Sequence, residues 1–292
     1  MPVVLTLIAT PGALSSALVE RCRTKLGAGP ATILSPGEAA DLPLSHAPDR
    51  AAIDQTLDAA FGGAPVDAVL TPTEGRRKRL LIADMDSTIV VGETLDELAG
   101  QAGIGAHVAA ITARAMAGEI DFKDALRERV ALLRGLDLAA LDRTWATTQL
   151  TPGARTLVAT MRAHGAIAAL VSGGFSFFTA RVAAALGFDL HRANVLLDDG
   201  RALLGRVQEP ILDRDAKLAT LRELTAAYGL LEDASLAVGD GANDLAMIRA
   251  AGLGVAYRAK PIVAEAAHAR IDHADLRALL FMQGYRADEF AA

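Results

Sequence analysis

Four short polar clusters carry the residue types and spacings in this chain that suit chemistry. The first is Asp84-Met85-Asp86-Ser87-Thr88. In an extended chain, residues two apart point to one side. Asp84 and Asp86 can therefore aim two carboxylates into one cleft, at a cost in free energy unless a cation or a proton is shared. A turn rich in Asp and Ser would have the same composition. The second cluster, Ser172-Gly173-Gly174, joins a hydroxyl to small residues that let backbone amides approach an anion. The third is Lys217, near the start of an expected helix, where a lysine opposes the helix dipole and a phosphate partner would account for it. The fourth, Gly239-Asp240-Gly241-Ala242-Asn243-Asp244, groups hard oxygen donors within one turn. That set suits Mg²⁺, which takes a few carboxylates and completes its shell with water or substrate phosphate.

These clusters need elements to hold them, and the surrounding pattern supplies strands that end at each. Leu80–Ala83 reads as a buried strand leading into the first cluster. Ala166–Val171 is a strand leading into the second, followed by a helix over Phe175–Leu186. A helix over Ala216–Tyr228 carries Lys217, and strand Ser235–Val238 leads into the fourth cluster, ahead of helix Leu245–Ala251 and strand Gly254–Tyr257. Helix Ala154–His164 precedes the second strand, and Ala193–Val207 reads as a hairpin turning at Asp198-Asp199-Gly200. Strands alternating with helices predict a parallel sheet covered on both faces, with ligands outside the carboxyl ends of its strands. Residues 94–150 show mainly helical patterns.

Ahead of this α/β region, Val3–Ala9, Ala31–Leu34 and Val66–Leu70 read as strands, and Leu14–Leu26 and Ala51–Phe61 as helices. The stretch Ser35–Arg50 reads as a polar connection. The expectation is a small α+β unit over residues 1–74 with helices on one sheet face, then a larger unit over 75–292. The basic run Arg76-Arg77-Lys78-Arg79 between them reads as a solvated linker.

Composition narrows the function classes. Lys and Arg total 29 against 35 for Asp and Glu, a net charge of -6, which argues against nucleic acid as a partner. Hydrophobic residues make up 52% of 292, enough for a sizeable core. The single cysteine, Cys22, excludes an intrachain disulfide and a cysteine-based zinc site. No apolar run approaches the length that spans a bilayer, and the N-terminal stretch lacks the basic flank of a signal peptide. The expectation is a cytoplasmic protein with no membrane partner.

The order Asp-x-Asp-Ser-Thr, Ser-Gly-Gly, Lys, Gly-Asp-Gly-x-Asn-Asp, each at a strand end or helix start, resembles the haloacid dehalogenase superfamily of phosphotransferases. The stretch Val90–Glu97, with Ala115–Phe122 and Leu126–Val130, is similar to cap segments of its phosphoserine branch. The resemblance implies a doubly wound parallel sheet with a helical cap insert over about 94–150, and hydrolysis of O-phospho-L-serine as the last step of serine biosynthesis. It implies Asp84 as nucleophile and Asp86 as general acid and base. Asp84, Asp240 and the main-chain carbonyl of Asp86 would hold Mg²⁺, with Asp244 steadying them from outside. Ser172, the Gly173 amide, Lys217 and Asn243 would grip phosphate. Glu93 and Arg129 would pair with the substrate ammonium and carboxylate, and Met116 and Phe122 would close the pocket. Asp86 should then have a raised pKa, since an ordinary aspartate is a poor acid at neutral pH.

The same residues leave open a phosphatase or phosphotransferase for phosphohomoserine or another small phosphomonoester. A signalling module that carries an aspartyl phosphate is disfavoured by the long insert and by Asp86. The N-terminal unit resembles the ACT-type ferredoxin-like domain, with one strand short, and raises the expectations of serine binding, a homodimer or simple support of the fold.

Overall fold

The computed structural model describes residues 2–116 and 119–291, apart from the side chains of residues 50 and 116. The N-terminal unit runs β1 (Val3–Ala9), α1 (Ser16–Leu26), β2 (Thr32–Ser35), β3 (Ala39–Leu44), α2 (Arg50–Phe61) and β4 (Val66–Pro72). Its sheet has the order β2-β3-β1-β4 with every pairing antiparallel, the split βαβ arrangement of ferredoxin-like folds. Local chemistry sets the helix ends. Ser15 Oγ accepts the Leu18 amide at the start of α1, and Gly27 closes it in the left-handed region. The side chain of Asp49 starts α2 in the same way.

The strand that completes this sheet, β3, lies inside the stretch read as a polar connection. Asp41 and Pro43 hide its pattern in the sequence. Asp41 is nevertheless buried, because Thr6 Oγ1 donates to it at 2.7 Å and Arg76 forms an ion pair with it at 2.6 Å. The basic run is therefore not simply a solvated linker. The Arg76 side chain is 13% exposed and donates to Asp41, Thr6 Oγ1 and the carbonyls of Met282 and Phe281. It pins the small sheet to the C-terminal end of the chain.

Alternation along β1 explains why all of it is buried. Val3, Leu5 and Leu7 pack under α1 and α2 with Leu18, Cys22, Ile53 and Leu57. Ile8, with Leu34, Ala39 and Val69, packs instead into the core of the larger unit. That seam also holds Asp67, 5% exposed, whose carboxylate accepts the amides of Asp272, His273 and Ala274. Asp67→Ala leaves these amides short of partners in a closed seam, and should lower the unfolding free energy by about 2–4 kcal/mol. Urea unfolding measures this, and an unchanged midpoint would show that the seam adds no stability.

The larger unit contains β5 (Leu80–Ala83), β6 (Ile167–Phe175), β7 (Leu190–Asn194), β10 (Ser235–Gly239), β11 (Leu253–Tyr257) and β12 (Ala269–Ile271), in the order β12-β11-β10-β5-β6-β7. All neighbours are parallel. Helices α7 (Ala154–Ala163), α8 (Ser176–Leu186) and α12 (Ala278–Met282) share a core with Leu81 and Ala83. On the opposite face, α9 (Arg214–Ala227), α10 (Leu245–Ala250) and α11 (Pro261–Ala266) pack on Ile82, Val171 and Ala237. Both faces are covered, so the strands read as unbroken apolar runs.

The segment 193–207 departs from a simple hairpin. Its first residues finish the parallel strand β7, and only β8 (Leu196–Asp198) and β9 (Leu203–Val207) pair with each other. The described residues of 94–147 include four helices, α3 (Thr94–Gln101), α4 (Gly105–Met116), α5 (Phe122–Ala131) and α6 (Ala139–Thr147). The hairpin hydrogen-bonds to this cap through Gly135 and Leu138, whose amides donate to Leu203 and Arg201 at 2.8 and 3.0 Å. No helix among the described residues is long and apolar enough to cross a membrane.

Candidate active site

The carboxyl ends of β5, β6 and β10 bring the four clusters together. β5 is central, so Asp84 emerges between β6 and β10. The chain then makes a tight turn over Met85–Ile89 in which Ser87 adopts φ 54°. A non-glycine residue in that region is uncommon and marks a strained, functional turn. Here the Ser87 amide donates to the Gly92 carbonyl and its hydroxyl donates to Glu93 Oε1, both at 2.8 Å. The turn thereby ties the nucleophile candidate to the first residue of the substrate-recognition set.

Asp84 is 5% exposed. Its Oδ1 accepts the Met85 amide at 2.8 Å and the Lys217 ammonium at 2.7 Å. Among the described residues its Oδ2 has no hydrogen-bond partner. Lys217, 1% exposed, also reaches Asp244 Oδ1 at 2.6 Å. Burial works against its charge, yet Asp244 and Asp84 hold the ammonium above the usual lysine range. The placement of Lys217 one turn inside α9 thus has a structural cause, a pair of buried carboxylates.

One carboxylate oxygen each from Asp84, Asp240 and Asp244 lies within 4.8 Å of the others. Such a set of hard oxygens fits a small divalent cation. Both oxygens of Asp244 are already engaged, by Lys217 and by the Gly241 amide at 3.1 Å. Asp240 is freer, with Thr88 Oγ1 at 3.4 Å. Burial and the neighbouring charge of Asp84 push Asp240 up to about 6 and also raise Asp244. Crowded, buried carboxylates repel one another and hold their protons more tightly.

Asp86 stands apart from that group. Its Oδ1 accepts the Thr94 amide at 2.9 Å and its Oδ2 the Ser172 hydroxyl at 3.2 Å. Burial first, then the charges of Glu93 and Asp84, push it up to about 7 against the Thr94 amide. The folded protein therefore keeps a proton that the unfolded chain releases near pH 4. Stability from that proton is full below about pH 4 and is lost as pH rises through about 7. Asp86→Asn should therefore be more stable than the parent by about 1–3 kcal/mol at pH 8, with the gap closing towards pH 5. Thermal unfolding of metal-free protein at both pH values tests this, and an equal gap at each would refute it.

Ser172 is 1% exposed and accepts the Gly174 amide at 2.8 Å. Space is tight at the two glycines that follow, most of all at Gly174. A Cβ on Gly174 would stand 2.7 Å from Asp86 Oδ2, and one on Gly173 would stand 3.2 Å from the ring of Phe122. Phe122 begins α5, so the cap meets the carboxyl end of β6 at Gly173. Asn243 sits in the turn after β10, partly exposed and with its side chain free of hydrogen bonds among the described residues. The side chain of Met116 lies outside the described residues.

Glu93 lies within electrostatic reach of Asp84 and Asp240, and Arg129 within reach of Glu93 and Asp96. Glu93 is exposed at the surface, yet desolvation by the surrounding protein raises its carboxyl, with the Ser87 hydrogen bond opposing and the charges of Asp240 and Asp84 adding. Arg129 donates from Nε to the Ala125 carbonyl at 3.2 Å, its one hydrogen bond among the described residues. Burial lowers it, while the charges of Asp96 and Glu93 act the other way. Sequence reasoning did not single out Thr88 or the Thr94 amide, although Thr88 stood inside the quoted motif.

The sequence matches the haloacid dehalogenase-like hydrolase family over residues 81–249. It is 44% identical over 236 residues to a phosphoserine phosphatase of Streptomyces coelicolor, covering 80% of this chain and 57% of that one. The chain thus spans little more than half the length of the first curated relatives it matches. A phosphoserine phosphatase of Streptococcus thermophilus is 44% identical over 199 residues, 68% of this chain and 93% of that one. Among solved structures, a haloacid dehalogenase family hydrolase of Salmonella enterica serovar Typhi superposes with a TM-score of 0.86 at 28% identity, covering 96% of this chain and 98% of that one.

Proposed function

The chain belongs to the haloacid dehalogenase-like hydrolase family, and from that premise we propose that it hydrolyses O-phospho-L-serine to L-serine and inorganic phosphate through an aspartyl phosphate, as the last step of serine biosynthesis. The observation that carries the choice of substrate is one carboxylate and one guanidinium, Glu93 and Arg129, close enough to feel each other's charge, with Glu93 also near Asp84 and Asp240. A zwitterionic amino acid needs one anionic and one cationic partner, and closure of the cap strengthens both by excluding water. The curated relatives named as phosphoserine phosphatases support the same reading.

In this reading Asp84 Oδ2, the oxygen without a hydrogen bond, attacks phosphorus and the bond to the serine oxygen breaks. Asp86 protonates that departing oxygen, then takes a proton from the water that hydrolyses the acyl phosphate. A carboxyl near 7 is suited to both tasks at neutral pH. Ser172, the Gly173 amide, Lys217 and Asn243 hold the phosphoryl oxygens as charge moves between them. Asp84, Asp240 and the main-chain carbonyl of Asp86 would hold Mg²⁺, with Asp244 keeping Lys217 and the Gly241 turn in place. Bound there, the cation offsets the repulsion between an anionic nucleophile and an anionic phosphate.

The test is Mg²⁺-dependent phosphate release from L-phosphoserine, D-phosphoserine, phosphothreonine, phosphohomoserine and an aryl phosphate. L-Phosphoserine should be preferred, and chelation should abolish release. Arg129→Met should raise KM for L-phosphoserine by about 10–100-fold while leaving the aryl phosphate nearly unchanged. Equal effects on both substrates would remove Arg129 from recognition, and a preference for phosphohomoserine would move the assignment to that substrate.

A further inference from the structure

We propose that Asn194 is a positioning residue that holds the phosphate-facing loop and the helix carrying Lys217 in one register. The inference rests on the reading of Ser172, Gly173 and Lys217 as the phosphate grip. Strand register points to it first. Between β6 and β7, Val171 pairs with Arg192 and the next pair is Phe175 with Asn194. Residues 172–174 therefore stand opposite Ala193 alone, and the loop is a bulge whose peptides the ladder does not fix. A bulge that must present a hydroxyl and an amide at set points needs another hold.

The carboxamide of Asn194 supplies that hold. It is 3% exposed. Nδ2 donates to the Gly173 carbonyl at 2.8 Å and to the Leu212 carbonyl at 3.3 Å, and Oδ1 accepts the Leu212 amide at 2.7 Å. The side chain meets Leu212 as a strand neighbour would, through one donor and one acceptor. Leu212 directly precedes Asp213, the residue that caps α9, and α9 carries Lys217 to Asp84. One buried amide thus joins the two arms of the grip, and among the described residues no backbone hydrogen bond runs from one arm to the other.

The residue type follows from the geometry. Aspartate has no donor and would set oxygen against two carbonyls, and alanine leaves a buried amide and two carbonyls short of partners. Asn194 touches no reacting atom, so its influence must pass through Gly173 and Leu212.

The test uses the full chain with Asn194→Ala, Asn194→Asp and Asn194→Ser, beside Arg192→Ala. Arg192 ties the same strand to α9 from outside, through Glu223 at 2.6 Å and Thr220 at 3.2 Å. Calorimetric affinity for inorganic phosphate with Mg²⁺, kcat and KM for L-phosphoserine, and the melting temperature are measured for each. Asn194→Ala and Asn194→Asp should weaken phosphate binding and lower kcat by about tenfold or more, as small misplacements of a grip do. Arg192→Ala should lower the melting temperature and leave both other readouts within about twofold. Should the alanine and aspartate variants not fold, the serine variant carries the same expectation. Loss of melting temperature alone at Asn194 would overturn the proposal, as would a parent that binds no phosphate. A parent that binds phosphate in an Asn194-dependent way without hydrolysing phosphoserine would sink the assigned activity and leave this proposal standing.

Discussion

Asp84→Asn should reduce phosphate release from L-phosphoserine by about 10⁴-fold or more, because in the proposed mechanism Asp84 forms the covalent intermediate and has no substitute in the site. The exchange is nearly isosteric. The carboxamide oxygen can still accept the Met85 amide and the Lys217 ammonium where Oδ1 does now, at 2.8 and 2.7 Å. The position of Oδ2 becomes an NH₂ group, which offers phosphorus no lone pair. The fold should survive, since the change removes one of three crowded carboxylates. Asp240 and Asp244 are raised partly by the charge of Asp84, and both should fall towards the ordinary aspartate range in the variant. Acid quenching of a reaction with labelled phosphoserine gives the direct measurement. The parent should yield labelled protein and the variant none. Residual release within about 100-fold of the parent would instead favour direct attack by water, with Asp84 only a metal ligand.

The parts of this site legible in the sequence were those fixed by local geometry. Asp84 and Asp240 stand at the carboxyl ends of β5 and β10, Ser172 near that of β6 and Lys217 one turn inside α9, and a parallel sheet gathers such positions at one edge. The apolar runs of β5, β6 and β10 made that sheet visible. What stayed hidden depended on partners far along the chain. Asp41 reads as a loop residue until Thr6 and Arg76 are placed beside it, so β3 was missed. Arg76 reads as a linker charge until Met282 and Phe281 fold back onto it. Asn194 carries no local signal, because its role arises from a bulge in one strand and a turn preceding a helix elsewhere. β12 spans only Ala269–Ile271, too short for a pattern, and is fixed by pairing with β11. The docking of the N-terminal unit was also illegible. The sheet face that an isolated ferredoxin-like domain would leave free is filled here by Ile8, Leu34, Ala39 and Val69 packing into the larger core.

Lys217→Met tests whether the buried charge at the centre of the site is a stabilising element as well as a phosphate grip. The ammonium lies 2.7 Å from Asp84 and 2.6 Å from Asp244 and is 1% exposed. Breaking a buried pair costs more than the pair contributes, since it leaves charge without compensation. The variant should lose about 3–5 kcal/mol of stability at pH 8 in chelator. The loss should depend on pH in a defined direction. Without Lys217, whose charge now lowers them, Asp240 and Asp244 hold protons still more tightly than in the unfolded chain. Those carboxyls then contribute stability that is present below about pH 4 and is lost as pH rises through their raised values. The difference between variant and parent should therefore be small at pH 5 and large at pH 8. Mg²⁺ should restore more stability to the variant than it adds to the parent, because it supplies the missing positive charge beside the same oxygens. Catalysis should not return with it, since in the proposed mechanism the ammonium on α9 grips phosphate at a place the cation does not occupy. Thermal unfolding across pH, with and without Mg²⁺, separates these effects. A loss that ignores both pH and metal would mean that Lys217 matters for its packed methylenes alone, and that the acidic cluster is compensated by some other group.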